Sequence, residues 1–237
     1  MRFGKKKAPD PAACASSPEE IDPSNMMPPA NQERSQYQSG ELSKERVESN
    51  IPRGADAEGN WVYPSEQMFF NALHRKGKGE GVQEEAMPAV VAIHNNMNEN
   101  TWREVLKWEA LRKHECDAPK LLRFMGRPDE LTLKAGLKYY SGLAPRPFDR
   151  HDWYDDRCGR EVRYVIDFYF NEEHAGREDQ FELVVRPALD SFDGAVDRTK
   201  MFIYVEFAKR GWPCPVSGMP GDLLSREQPG SAGAAAA

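Results

Sequence analysis

No apolar run in the 237 residues approaches the ~20 that a membrane-spanning helix needs, so only association with a membrane surface stays open. A surplus of positive charge is also missing. With 38 acidic against 32 basic residues the net charge is −6, which argues against a nucleic-acid partner and suits a basic protein partner. Cysteine is scarce. Cys14, Cys116, Cys158 and Cys214 are scattered, with no Cys-x-x-Cys pair and no spacing of a known zinc framework, so reduced, unpaired thiols are expected. The basic start Met1-Arg2-Phe3-Gly4-Lys5-Lys6-Lys7 lacks the apolar core of a secretory signal and the acid-poor amphipathic character of a transit peptide.

Aliphatic periodicity is nearly absent from residues 1–56, where Pro, Ser, Glu, Asn and Gln dominate, and that composition buries too little surface to offset ordering entropy. The stretch 211–237, rich in Pro and Gly and then in Ala, reads the same way. Between these two disordered tails lies a predicted domain of residues 57–210. Pro64 suits the first turn of a helix with Met68, Phe69, Ala72 and Leu73 as its stripe, ended by Gly77 and Gly79. Pro88 opens a second helix through Val90, Val91 and Ile93. Residues 116–147 are punctuated by Gly and Pro and read as loops and short helices. Val162, Tyr164, Ile166, Phe168 and Phe170 alternate with polar neighbours, as do Phe181, Leu183 and Val185, which predicts a β-hairpin. Asp190 or Ser191 caps a last helix to about Lys209, with Phe192, Val196, Phe202 and Ile203 facing inward. The expected fold is α+β: a small, mainly helical domain with a β-hairpin or small antiparallel sheet.

The chemistry centres on residues 93–109. On one helix His94, Asn98, Trp102, Val105 and Glu109 fall within an arc of about 80°. A histidine, an amide, an indole and a carboxylate on one seam form a wall for a flat, apolar ligand with polar edges. Four asparagines between positions 95 and 100 weaken that helix, and Thr101-Trp102-Arg103-Glu104 reads as a capping box, so a break near Asn96 is the competing reading. Glu109 has a bland alternative, pairing with Arg112 or Lys113 one turn on.

His-Asn-x-x-Asn-Glu-x-x-Trp-x-x-Val-Leu-x-Trp-Glu, spanning His94 to Glu109, resembles the signature of the holocytochrome c synthase family, also called cytochrome c haem lyases. Asn60-Trp61-Val62-Tyr63-Pro64-Ser65-Glu66-Gln67-Met68-Phe69-Phe70-Asn71-Ala72 and Pro147-Phe148-Asp149-Arg150-His151-Asp152-Trp153 resemble further blocks of that family, in its order. Arg157-Cys158-Gly159 and Arg186-Pro187-Ala188-Leu189-Asp190-Ser191 continue the match. The chain departs at Lys78, where the family has tryptophan, and at Val185, where an acid is frequent.

The resemblance implies a lyase that adds the two thiols of the Cys-x-x-Cys-His segment of apocytochrome c, or apocytochrome c1, across the vinyl groups of haem b with reduced iron. It implies His94 as the axial ligand and metal-binding residue, with Asn95, Asn98 and Glu99 in the haem-binding signature. Taken alone, His94 reads first as a hydrogen-bonded core histidine, and only the extended resemblance reverses that; Asn95 and Asn98 read equally as caps. His151 is the second histidine, a haem contact or proton handler, or else the middle of an Asp-His-Asp cluster pinning a loop. Arg150 is a candidate for a propionate. Trp61, Tyr63 and Trp102 suit either a porphyrin face or a core. Cys214-Pro215-Val216 resembles a Cys-Pro haem contact that family members carry near their N-termini. The resemblance also implies the mitochondrial intermembrane space and peripheral attachment to the inner membrane. A haem-binding chaperone or sensor without ligation activity is the alternative function.

Overall fold

A computed structural model describes residues 22, 23, 25, 29–54, 58–174, 176, 177, 180–213, 215 and 216. Among them, ten principal elements form an α+β domain. They are β1 (Glu48–Pro52), β2 (Asn60–Val62), α1 (Glu66–Arg75), α2 (Met87–Glu109), β3 (Lys120–Gly126), α3 (Leu133–Tyr140), β4 (Asp149–Asp156), β5 (Glu161–Phe170), β6 (Phe181–Pro187) and α4 (Phe192–Lys209). β1 and β2 form one antiparallel pair, and β3-β4-β5-β6 a four-stranded antiparallel meander.

The register of the meander divides its side chains into two chemically distinct faces. Trp153 lies opposite Tyr164 and Phe124, His151 opposite Ile166, and Ile166 opposite Val185. These residues share the face on which Trp102 and Val105 of α2 complete the main core with Tyr164, Ile166 and Phe168. The Trp108 indole donates to the Val185 carbonyl at 3.0 Å and fixes the helix to β6. On the other face Arg150 opposes Asp167, and Asp152 and Arg186 oppose Val165. Asp152, fully buried, receives Arg150 at 2.9 Å, Arg163 at 3.1 Å and Arg127 at 3.2 Å. Asp167 receives Arg186 at 2.5 Å and the Thr132 hydroxyl at 3.1 Å. This charged face is held by reciprocal pairing, since a buried charge is tolerated only with partners.

The predicted hairpin is β5–β6, and the last helix starts at its Ser191 cap, whose hydroxyl accepts from the Gly194 N–H at 3.1 Å. Its inward face differs from the expectation. Phe192 and Phe202 are 83% and 66% exposed, whereas Gly194, Asp197 and Tyr204 are buried. A methyl on Gly194 would stand 2.1 Å from the Ala188 carbonyl oxygen, so close approach of the chain selects the inward side. α1 starts behind Ser65, not Pro64; the Ser65 hydroxyl accepts from Met68 N–H at 3.2 Å.

Three further expectations are corrected. Order reaches back into the segment read as an N-terminal tail: Ile51 of β1 is 2% exposed, and Leu42 joins a second core with Phe70, Met87 and Val91. Cys116 and Cys158 form a disulfide with a Cα–Cα distance of 5.6 Å, tying the chain beyond α2 to the β4–β5 turn, so those two thiols are not free. The stretch read as loops and short helices holds a short helix, α3, but also the strand β3, whose Leu121 is 2% exposed.

Candidate functional site

α2 runs unbroken from Met87 to Glu109, so the seam persists. Thr101 does not cap a new helix. Its hydroxyl donates back to the Met97 carbonyl at 2.8 Å, one turn earlier, which leaves the main-chain ladder intact. Asn98 likewise folds back, its amide nitrogen lying 2.9 Å from the His94 carbonyl and 3.3 Å from His94 Nδ1.

The half-buried His94 ring packs edge-to-face against Phe69 of α1, with centroids 5.2 Å apart. Burial lowers its pKa from 6.5, and the neighbouring charge of His151 lowers it further. The Asn95 amide and the Asp149 charge oppose that shift. A neutral imidazole results at neutral pH, the state that ligates a metal.

His151 reaches this region from β4, on the same sheet face as Trp153 and Ile166. Its Nε2 lies 3.2 Å from Asp149 Oδ2, its ring meets the edge of Phe168 at 5.2 Å, and its buried Nδ1 has no hydrogen-bond partner. Burial pushes the Asp149 carboxyl up, but the hydrogen bond and charge of His151 outweigh it and hold the group below its usual value. The turn after α1 adds two cations near the pair. The charge of Lys78 steadies Asp149, and that of Asp149 partly offsets the lowering of Lys76 by burial and by Arg75 and Lys78. His94, His151, Asp149, Phe69 and Lys76 therefore converge from α1, α2 and β4.

The other sequence candidates lie elsewhere. Arg150, next to His151 in the chain, is on the opposite sheet face, where it is bound to Asp152 and Glu130. Alternation along the strand separates the two. Glu99 is turned about 140° around α2 from His94; it accepts from the Tyr63 hydroxyl at 2.9 Å and from the Asn50 N–H at 3.1 Å. Burial, then Glu99, raises the Tyr63 phenol well above its ordinary value. Trp61 donates its indole N–H to the Leu121 carbonyl at 3.0 Å, and Trp102 is 5% exposed, so both rings are core. Glu109 pairs neither with Arg112 nor with Lys113. It receives Arg157 in two bonds of 2.7 Å and the Tyr164 hydroxyl. Cys214 lies outside the described residues.

Phe69, Lys76 and Asp149 went unassigned in the sequence. Asp149 stands two residues before His151, the spacing that puts both on one strand face, and this was the readable signal. A cavity of about 390 Å³ lies beside Asn50, Glu99, Trp102 and Arg103, and one of about 260 Å³ beside Arg157, Arg163 and Asp197; His94 lines neither. No group of three or more histidines, cysteines and acids among the described residues could hold a metal ion.

Comparison with known proteins supplies the family. A holocytochrome c-type synthase of Bos taurus is 48% identical over 200 residues, covering 82% of this chain and 72% of its own length. The holocytochrome c-type synthase of Homo sapiens is 48% identical over 79% of this chain and 70% of its own, and the holocytochrome-c synthase of Saccharomyces cerevisiae 40% identical over 77% and 76%. No solved structure matches the chain. Residues 4–202 match the family described as cytochrome c/c1 heme lyase, and the chain belongs to that family of lyases.

Proposed function

We propose that this enzyme attaches haem b to the Cys-x-x-Cys-His segment of apocytochrome c, and of apocytochrome c1, through two thioether bonds. The observation that carries the reading is His94 on an unbroken α2, its ring against Phe69 and within electrostatic reach of His151. Haem enters as substrate with reduced iron. His94 would take one axial position and the histidine of the incoming segment the other, which sets both cysteines beside the vinyl groups. The Asn98 amide nitrogen, which donates to the His94 carbonyl and lies 3.3 Å from Nδ1, holds the ring in its orientation.

In each addition the thiol sulfur bonds to the vinyl carbon next to the ring, and the thiol proton passes to the outer carbon. Nothing is oxidised or reduced, and no residue of the enzyme is modified. The protein's tasks are to hold, orient and move protons. His151 and Asp149 are placed to shuttle the thiol proton, and Lys76 and Lys78 to meet the haem propionates, a task that the position of Arg150 denies it. Phe69 stands against His94, so a porphyrin reaches the ring by displacing that phenyl edge. Glu99, with Tyr63 and Asn50, acts as a clamp between α2 and β1.

We place the enzyme in the mitochondrial intermembrane space, peripheral on the inner membrane. Among the described residues no helix is long and apolar enough to cross a membrane. Co-expression with apocytochrome c and haem tests the assignment. The parent is expected to yield thioether-linked product and His94→Ala none; a parental yield from His94→Ala overturns the ligand assignment.

A further inference from the structure

α3 carries a feature that the haem site does not use. Residues 132–146 hold Lys134, Lys138 and Arg146 and no acid, within a chain of net charge −6. Leu133, Leu137 and Tyr140 fall within about 60° around the helix axis. They are 83%, 64% and 82% exposed, and Leu143 in the following turn is 78% exposed. The helix is held from the other side. Ala135 is 1% exposed, and Thr132 both caps the helix and donates to Asp167. Four large apolar side chains in eleven residues are thus turned to solvent by a helix that is anchored underneath.

The charge beneath this stripe is one-sided. Burial first, then the charges of Arg186, Lys138 and Arg198, lower the Lys134 pKa, so three further cations lie within electrostatic reach of Lys134. The nearby acid, Asp167, is engaged by Arg186 at 2.5 Å. Before the helix, Glu130 is engaged by Arg127 and Arg150.

We propose that α3 and its following turn dock on an anionic lipid surface, with Leu133, Leu137, Tyr140 and Leu143 entering the acyl boundary and Lys134, Lys138 and Arg146 meeting the phosphate head groups. The proposal rests on the peripheral-membrane reading above and assigns the surface responsible. A short helix with an apolar stripe flanked by lysines lies in the plane of a membrane interface, and tyrosine side chains sit at head-group level. A projecting stripe without a groove fits a deformable medium, and the one-sided charge selects anionic lipid over neutral lipid.

Flotation of the full chain with vesicles tests this, using phosphatidylcholine alone and phosphatidylcholine containing about one-third anionic phospholipid. The parent is expected to float with the anionic vesicles. Leu133→Ser/Leu137→Ser/Tyr140→Ser, and separately Lys134→Glu/Lys138→Glu, are expected to reduce binding about tenfold or more. Both variants retain Ala135 and the Thr132 cap, so the parental melting curve is expected, and Leu143→Ser provides a milder variant with the same direction of effect. Thioether formation in solution should be unchanged in all of them, which separates this proposal from the haem-attachment reading. A parent that floats with neither vesicle defeats the peripheral-membrane reading and the assignment together. Variants that float like the parent defeat the assignment alone. Capture by polyglutamate in preference to vesicles would redirect the surface to an acidic protein, and a dimer dissolved by Leu137→Ser would redirect it to a second copy; either overturns the proposal.

Discussion

Iron takes only the neutral imidazole, so protons compete with haem for His94 in the acid range, below 6.5. Part of that lowering comes from His151. Replacing His151 by Phe removes it, and the acid limb of a haem-binding titration, followed by the Soret band, should move to higher pH without passing the ordinary imidazole value. An unmoved limb would show that the rings do not sense each other. Asn98→Leu should weaken haem binding about tenfold, as loss of a partner that orients a ligand does. At Asp155, burial and then the charge of Glu109 raise the carboxyl to about 8. The folded state therefore holds a proton that the unfolded chain releases near 3.8, and stability falls as pH rises from there to about 8. Asp155→Asn should flatten that decline and add about 1–3 kcal/mol at the alkaline end, read by denaturant unfolding. Single residues were partly legible in the sequence: the motif located His94 and His151, but nothing local showed that Arg150 faces away. That follows only from strand alternation, and β4 was not recognisable as a strand.

Elements became legible where a local pattern of residue types marks them. β5 and β6 alternate apolar and polar residues and were readable, and α4 announced itself by its cap. β4, Asp149-Arg150-His151-Asp152-Trp153-Tyr154-Asp155-Asp156, has hardly any apolar signal, because one face is built from paired charges and the other carries site residues. β3 has small and polar neighbours that mask it. The disulfide joins cysteines 42 residues apart, too remote for spacing to reveal. Cys158→Ser should cost about 3–4 kcal/mol by freeing that loop in the unfolded chain, measurable as a lower unfolding midpoint that reductant reproduces in the parent. Glu109→Gln should cost about 2–4 kcal/mol, since it leaves the buried Arg157 with the longer contact to Asp197 at 3.5 Å as its remaining ion pair among the described residues.

For the molecule as a whole, the polar composition of the N-terminal segment concealed its part in the fold. Ile51 and Leu42, two of the few aliphatic residues there, are buried, and each fills a different core. Ile51→Ala should cost about 2–5 kcal/mol, and a chain starting after residue 56 should fail to retain haem because the Glu99 clamp loses Asn50. Retention of haem by that shortened chain would show the clamp to be dispensable.

The salt-bridged face of the meander has a further bearing on the chemistry opposite. Sliding β4 by one residue would swing Arg150 in and His151 out, while forcing Asp152, Arg163 and Arg186 against strangers. Those ion pairs thus act as a key that admits a single alignment, and a residue inserted just ahead of Asp149 should be taken up by the preceding loop, leaving His151 facing the core and activity retained.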